Sequence, residues 1–172
     1  MPSKIFSASL SGLDASLVEV EIDLTYGLHS FTIVGLPDKA VDESKERVNA
    51  AVKNTGLASP RKQNQRLTVN LAPADIKKEG SNFDLPIAVG YLLASEQLAF
   101  NPQGKIFVGE LALDGTIRPI SGILAITQLA ESLGFEEIFL PKANANEASL
   151  VSGIKISGAE NLAELLRHLE SV

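Results

Sequence analysis

The sequence predicts an α/β (α+β) domain in which helices pack on a mixed sheet. Three observations predict it. Residues 4–34 carry strand-like alternation, the rest of the chain alternates strands and helices, and residues 85–95 form a helix that is apolar nearly all round. Such a helix has no polar face to offer water, so it belongs in the core. The 172 residues are expected to form a single domain, 1–172, since no repeat, low-complexity tract or linker interrupts them.

The elements follow in order. Segments 5–10 and 17–23 flank the turn-like Gly12-Leu13-Asp14, a hairpin pattern. Val18, Val20, Ile22 and Leu24 share one parity and are expected to be buried; Leu17, Glu19, Glu21 and Asp23 share the other and are expected to face water. A third strand covers 30–34 and ends at Gly35-Leu36-Pro37. Asp38 is expected to cap one helix running to about Asn54, with Val41, Ser44 or Lys45, Val48, Ala51 and Val52 at helical spacing and Gly56 closing it. A basic polar tract, 59–66, leads into a strand over 66–71. Asp84, just before Leu85-Pro86, reads as the N-cap of the buried helix.

Segments 106–108 and 111–113 flank Gly109, and Asp114-Gly115 signals a hairpin into 116–120. Helix 123–133, strand 137–140, a short helical stretch near 146–151 and strand 154–156 follow. Asn161 with Glu164 three residues on is a capping-box pattern for a last helix lined by Leu162, Leu165, Leu166 and Leu169. Helix–strand alternation in this last third favours parallel pairing.

Composition narrows the function. With no cysteine there is no disulfide, thiol nucleophile or cysteine metal site, and two histidines suggest no metal cluster. A net charge of −6 argues against coating nucleic acid over the whole surface, though not against a local basic patch. No membrane span and no phosphate-cradling loop is found. The expected setting is the cytoplasm, with no membrane partner and no small-molecule substrate.

Two tracts carry the chemistry, 70–90 (NLAPADIKKEGSNFDLPIAVG) and 109–122 (GELALDGTIRPISG). Together they resemble the frame of Lon-type serine–lysine proteases. The resemblance aligns Lys78-Glu79-Gly80 so that Asn82 stands at the nucleophile, and Leu124 stands at the catalytic lysine. Asn82 cannot form an ester and Leu124 cannot take a proton, so no catalytic residue is expected. Ser81, with Lys77 or Lys78 as its base, leaves a cryptic peptidase as an alternative.

A more specific set extends over nearly the whole chain: TIVGLPDK (32–39), VDESKERVNAA (41–51), LTVNLAPA (67–74), KEGSNFDLPIA (78–88) and SEQL (95–98). It resembles the N-terminal domain of the ComM/YifB family, magnesium-chelatase-like AAA+ ATPases; the DNA-repair protein RadA carries a similar domain. The resemblance implies a Lon-protease-like fold of the ribosomal protein S-five domain 2 type. It implies a non-proteolytic domain that contributes to hexamer assembly and DNA engagement in branch migration, recombination and natural transformation. ATP and Mg are then expected only in an ATPase module beyond this chain, with no cofactor in the domain itself. Arg61, Lys62 and Arg66, with Lys77 and Lys78, are the candidate DNA contacts, extended by Arg47 and Lys53 if those do not simply pair with Asp42, Glu43 and Glu46. A protein–protein interaction module that never touches DNA is the remaining alternative, and composition alone makes the basic tract a solvated loop.

Overall fold

The computed structural model describes residues 2–171. A seven-stranded mixed sheet forms the centre, in the order β3-β4-β2-β1-β5-β8-β9. Its first half is built from β1 (Ser3–Ser11), β2 (Asp14–Tyr26), β3 (Ser30–Val34) and β4 (Gln65–Ala72). β2 runs antiparallel to both β1 and β4, and β3 joins β4 in parallel. The second half, β5 (Lys105–Phe107), β8 (Glu137–Pro141) and β9 (Lys155–Ala159), is parallel throughout, as the alternation of helix and strand predicts. β6 (Glu110–Leu111) and β7 (Ile117–Arg118) form a separate hairpin around the expected Asp114-Gly115 turn.

Helices cover both faces. On one side α2 (Ser44–Asn54), α3 (Asp84–Ala94) and α6 (Leu162–Glu170) share a core with Val18, Val20 and Ile22, the parity expected to be buried. On the other, α4 (Ile123–Ser132) and α5 (Ala145–Ala148) pack with Ala8, Ile106, Ile138 and Leu140. Along β8, Ile138 and Leu140 join the second core while Phe139 joins the first, the period-two signature of a strand buried on both faces. Leu17 corrects the expected wet face: it packs in the second core, and the uncovered part of that face carries Glu19, Glu21 and Asp23.

α3 is as buried as its composition requires, with nine of its eleven residues inside. It approaches the sheet closely at Gly90, where an added Cβ would sit 2.7 Å from the Cδ1 of Ile22. The hydroxyl of Ser3 donates to the Gly90 carbonyl at 2.8 Å.

Local expectations are met at the last helix, where the Asn161 side chain accepts from Glu164 N at 2.9 Å. The Glu164 carboxylate accepts from Glu160 N at 3.1 Å rather than from the cap residue, so the box closes one residue early. Two expectations are corrected. Asp38 does cap a helix, accepting from Val41 N at 2.7 Å, but that helix is the single turn α1 (Lys39–Asp42), and α2 restarts after Glu43. Asp84 is not an N-cap: Phe83 holds that position without a side-chain bond, and Asp84 is the first residue of α3.

Candidate functional site

The two sequence tracts meet at Gly109. Its N–H donates to Asn82 O and its carbonyl accepts from Leu85 N, both at 3.0 Å. This short ladder lays the start of α3 against the strand that leads to β6. Beside it, the loop after β4 is anchored to the segment after β3: Lys78 N donates to Leu36 O at 3.0 Å and Asp38 N donates to Lys78 O at 2.9 Å. The second carboxylate oxygen of Asp38 accepts from Gly80 N at 3.1 Å.

Asp84 occupies the centre of this construction and is fully buried. Arg47 grips it with two parallel bonds, Nε to Oδ2 at 2.6 Å and Nη2 to Oδ1 at 3.1 Å. The Ser44 hydroxyl donates to it at 2.5 Å and Leu111 N at 3.0 Å. One carboxylate thus ties α2, α3 and β6 together through four donated hydrogen bonds, the geometry in which charge-assisted bonds are strongest. Burial pushes the Asp84 carboxyl above its ordinary range, while Arg47, Ser44 and the Leu111 N–H pull it back. Burial opposes the charge on Arg47 as well, but Asp84, backed by Glu110 and Glu43, raises its pKa and keeps it ionised. Arg47 therefore does not extend a surface patch. The signal for this pair was Ser44, a polar residue on the apolar stripe of its helix.

A cleft of about 570 Å³ opens in front of this network. Gly80, Ser81 and Asn82 form one wall, Pro119, Ile120 and Ser121 the other, so the structure brings together the two tracts that the sequence singles out. Gly122, at the end of that turn and the N-cap of α4, has φ 77°, and a Cβ there would lie 2.1 Å from Leu10 Cδ1. Only glycine fits both the backbone and the space.

The chemistry of the cleft is acidic and amide. Asn82 Nδ2 donates to Ala8 O at 2.7 Å, which locks the amide against β1. The Ser81 hydroxyl donates to the Glu110 carboxylate. No lysine or histidine lies among the lining residues described. Leu124 sits half-buried on the first turn of α4 and does not line the cleft.

Neither lysine proposed as the base of Ser81 is bonded to it. Lys77 is exposed and pairs with Glu79 at 3.7 Å. Lys78 is fully buried, and its ammonium donates to the Pro73 carbonyl. Burial lowers its pKa, opposed by the charge of Asp75. This also corrects its place among the basic surface candidates: Lys78 presents no charge to solvent, because the parallel bridge to Pro37 turns its side chain inward.

The other basic candidates are dispersed. Arg61 and Lys62 border a groove of about 830 Å³ with Lys53, over the apolar Leu57 and Leu113. Arg61 is bonded there to Glu46. Arg66 is exposed on β4, opposite Thr25 and Ser30, on the face that carries Asp23. Lys77 stands apart at the loop before Gly80. Among the described residues no cluster of acidic, histidine or cysteine side chains could hold a metal ion, and no helix is long and apolar enough to cross a membrane.

Fold and site together define an α/β domain whose loop-and-turn cleft holds a serine bonded to a carboxylate and an asparagine bonded to the backbone of β1. Residues 20–144 match the family described as subunit ChlI of Mg-chelatase, and the chain belongs to that family. It is 44% identical over 166 residues to the competence protein ComM of Haemophilus influenzae, covering 96% of this chain and 32% of that protein. It is 38% identical over 169 residues to the YifB protein of Escherichia coli, covering 98% and 33%. Similarity to the DNA repair protein RadA of Bacillus subtilis is lower, 30% over 166 residues, covering 94% and 34%. The chain therefore spans about a third of the length of the curated relatives it matches.

Proposed function

We propose that this chain is a non-proteolytic, Lon-like domain of a ComM-type AAA+ ATPase, serving hexamer assembly and DNA engagement during branch migration, recombination and transformation. The observation that carries the reading is the cleft. It brings together the two tracts that resemble a serine–lysine site, while Asn82 is spent on Ala8 O and no lysine lines the cleft among the described residues. The only base that the Ser81 hydroxyl meets among the described residues is the Glu110 carboxylate, far weaker than the neutral lysine amine that activates a serine–lysine nucleophile. On this reading the domain is cytoplasmic and binds no cofactor. ATP and Mg²⁺ belong to the remaining two-thirds of a protein as long as its relatives.

The best-supported DNA surface is the groove bordered by Lys53, Arg61 and Lys62, with Arg66 and Lys77 as separate contacts. The experiment is a fluorescence-anisotropy titration of labelled duplex and branched DNA with the chain. Binding is expected at about 50 mM salt, weakening steeply as salt rises. Lys62→Glu combined with Arg61→Glu is expected to weaken it at least tenfold. If no binding is detected at the low salt, direct DNA contact by this domain is wrong and the interaction-module reading takes its place. Peptide cleavage that Ser81→Ala abolishes would establish the peptidase alternative instead.

A further inference from the structure

The groove bordered by Lys53, Arg61 and Lys62 has two kinds of surface. It holds these three cations and a single carboxylate, Glu46, on a chain whose net charge is −6. Between the charges, Ala50, Leu57 and Leu113 make the lining apolar. Leu57 packs against the first core, but Leu113 stands 58% exposed on the turn between β6 and β7 and fills no place in either core. Hydrogen bonds to α2 fix both surfaces. Asn49 Nδ2 donates to Lys45 O at 2.8 Å, which aims the amide oxygen so that it accepts from Arg61 N at 3.2 Å. Asn54 Nδ2 donates to Leu113 O at 2.7 Å. The basic turn and the exposed leucine are thus tied to one helix, and a ligand need not order them. A volume of about 830 Å³ is more than phosphate contacts alone require, and lies in the range of ~300–1,000 Å³ that holds whole ligands.

We infer that this groove takes an unpaired stretch of DNA, with phosphates on Lys53, Arg61 and Lys62 and the face of a base on Leu113. The inference rests on the DNA reading above and narrows it. Charge alone favours a duplex, whose phosphates are denser and release about 0.9 counterion per contact against about 0.7 for a single strand. The apolar lining reverses that preference. In a duplex the base faces are stacked on one another and only their edges open into the grooves, so Leu113 would meet sugar and phosphate. An unpaired strand turns its bases outward, and a flat base face can cover the leucine while the flanking phosphates reach the cations. With no aromatic ring among the described lining residues, the contact is packing on an aliphatic side chain rather than ring stacking. An acidic peptide would bring to Arg61 only what Glu46 already supplies. A strand instead alternates fixed charges with flat apolar faces, which is the alternation of this lining.

The test compares three labelled probes of equal length by fluorescence anisotropy at about 50 mM salt: a mixed-sequence single strand, its duplex, and the same strand with its bases removed. The single strand is expected to bind at least tenfold tighter than the duplex, and the abasic strand no tighter than the duplex. Leu113→Ser is expected to weaken the single strand about fivefold, the worth of part of a leucine's burial, and to leave the duplex within about twofold. Leu113 is exposed, so the substitution spares the core, and Leu150→Ser, at an exposed leucine outside the groove, is expected to change neither. A duplex bound as tightly as the single strand overturns the inference and leaves the DNA reading standing. So does an abasic strand that binds like the intact one, or a loss on Leu113→Ser that is equal for strand and duplex or matched by Leu150→Ser. Displacement of the single strand by an equimolar peptide of alternating glutamate and leucine would give the groove to a protein partner and overturn it too. If none of the three probes binds, the inference falls together with the DNA reading.

Discussion

Two buried charges six residues apart receive opposite treatment. Asp84 is met by four hydrogen bonds from three side-chain or backbone partners on two other elements, including the fork of Arg47. Lys78 is equally buried, yet its ammonium bonds one carbonyl, and no carboxylate of the described residues pairs with it. An ionised group taken from water is tolerated only if its new partners replace the lost hydration. Asp84 therefore works as a fastener between α2, α3 and β6. Lys78 is a burden carried by its loop, held in place by backbone bonds to Leu36 and Asp38 rather than by its own charge.

This contrast can be broken experimentally. The largest effect is expected from Asp84→Ala, which strands the Arg47 guanidinium against the core. A loss of about 3–5 kcal/mol should appear in urea unfolding, and Asp84→Leu combined with Arg47→Met should recover part of it. If the single substitution costs as little as a surface change, the fastener is misidentified. Next comes Glu137, a carboxylate that burial would raise but that Ser157, His168 and Lys155 together hold below its ordinary range. A depressed folded pKa means that its contribution is present above the unfolded value and is lost as pH falls through the folded one. Glu137→Gln is thus expected to cost about 1 kcal/mol at neutral pH and nothing in strong acid, as thermal melts across that range would reveal.

Lys78→Met should behave unlike either, leaving stability within about 1 kcal/mol of the parent or raising it. Its pH signature is the sharper observation. With the folded pKa below the unfolded one, the unfolded chain holds the proton more strongly, so this lysine makes stability rise as pH climbs from the folded toward the unfolded value. Lys78→Met should remove that alkaline slope; an unchanged slope would show that the ammonium is better solvated than its burial implies. Ser81→Ala is the smallest change, within about 0.5 kcal/mol by denaturant titration.

The sequence made visible whatever is local. Val18, Val20 and Ile22 announced a buried face by parity, α3 announced itself by having no polar side, and Asn161 announced a cap. Asp84 departs from its expected cap role because a carboxylate at a helix start before proline has the same local pattern whether it caps or is clamped. Its deciding partner, Arg47, lies 37 residues away. Lys78 departs from the surface expected of a lysine in a charged loop because its bridge to Pro37 turns it inward. The meeting of the two cleft tracts was legible through family resemblance, while the dispersal of the basic residues depends on strand order, which composition does not encode.

The junction of the two half-sheets also bears on how the chain assembles. β1 meets β5 through Phe6 and Ile106, which are 100 residues apart in sequence. The half built from β1 to β4 is contained in residues 3–72, and its β1–β2 pair is a hairpin that can zip from its own turn. The parallel half has no such shortcut, since its strands are joined by crossovers through α4 and α5. Long-range closure of this kind slows folding, since the entropy of the intervening loop is lost before the contact rewards it. The nascent chain is then expected to leave the ribosome with its first half formed and β1 still open to water, until Ile106 arrives to cover it.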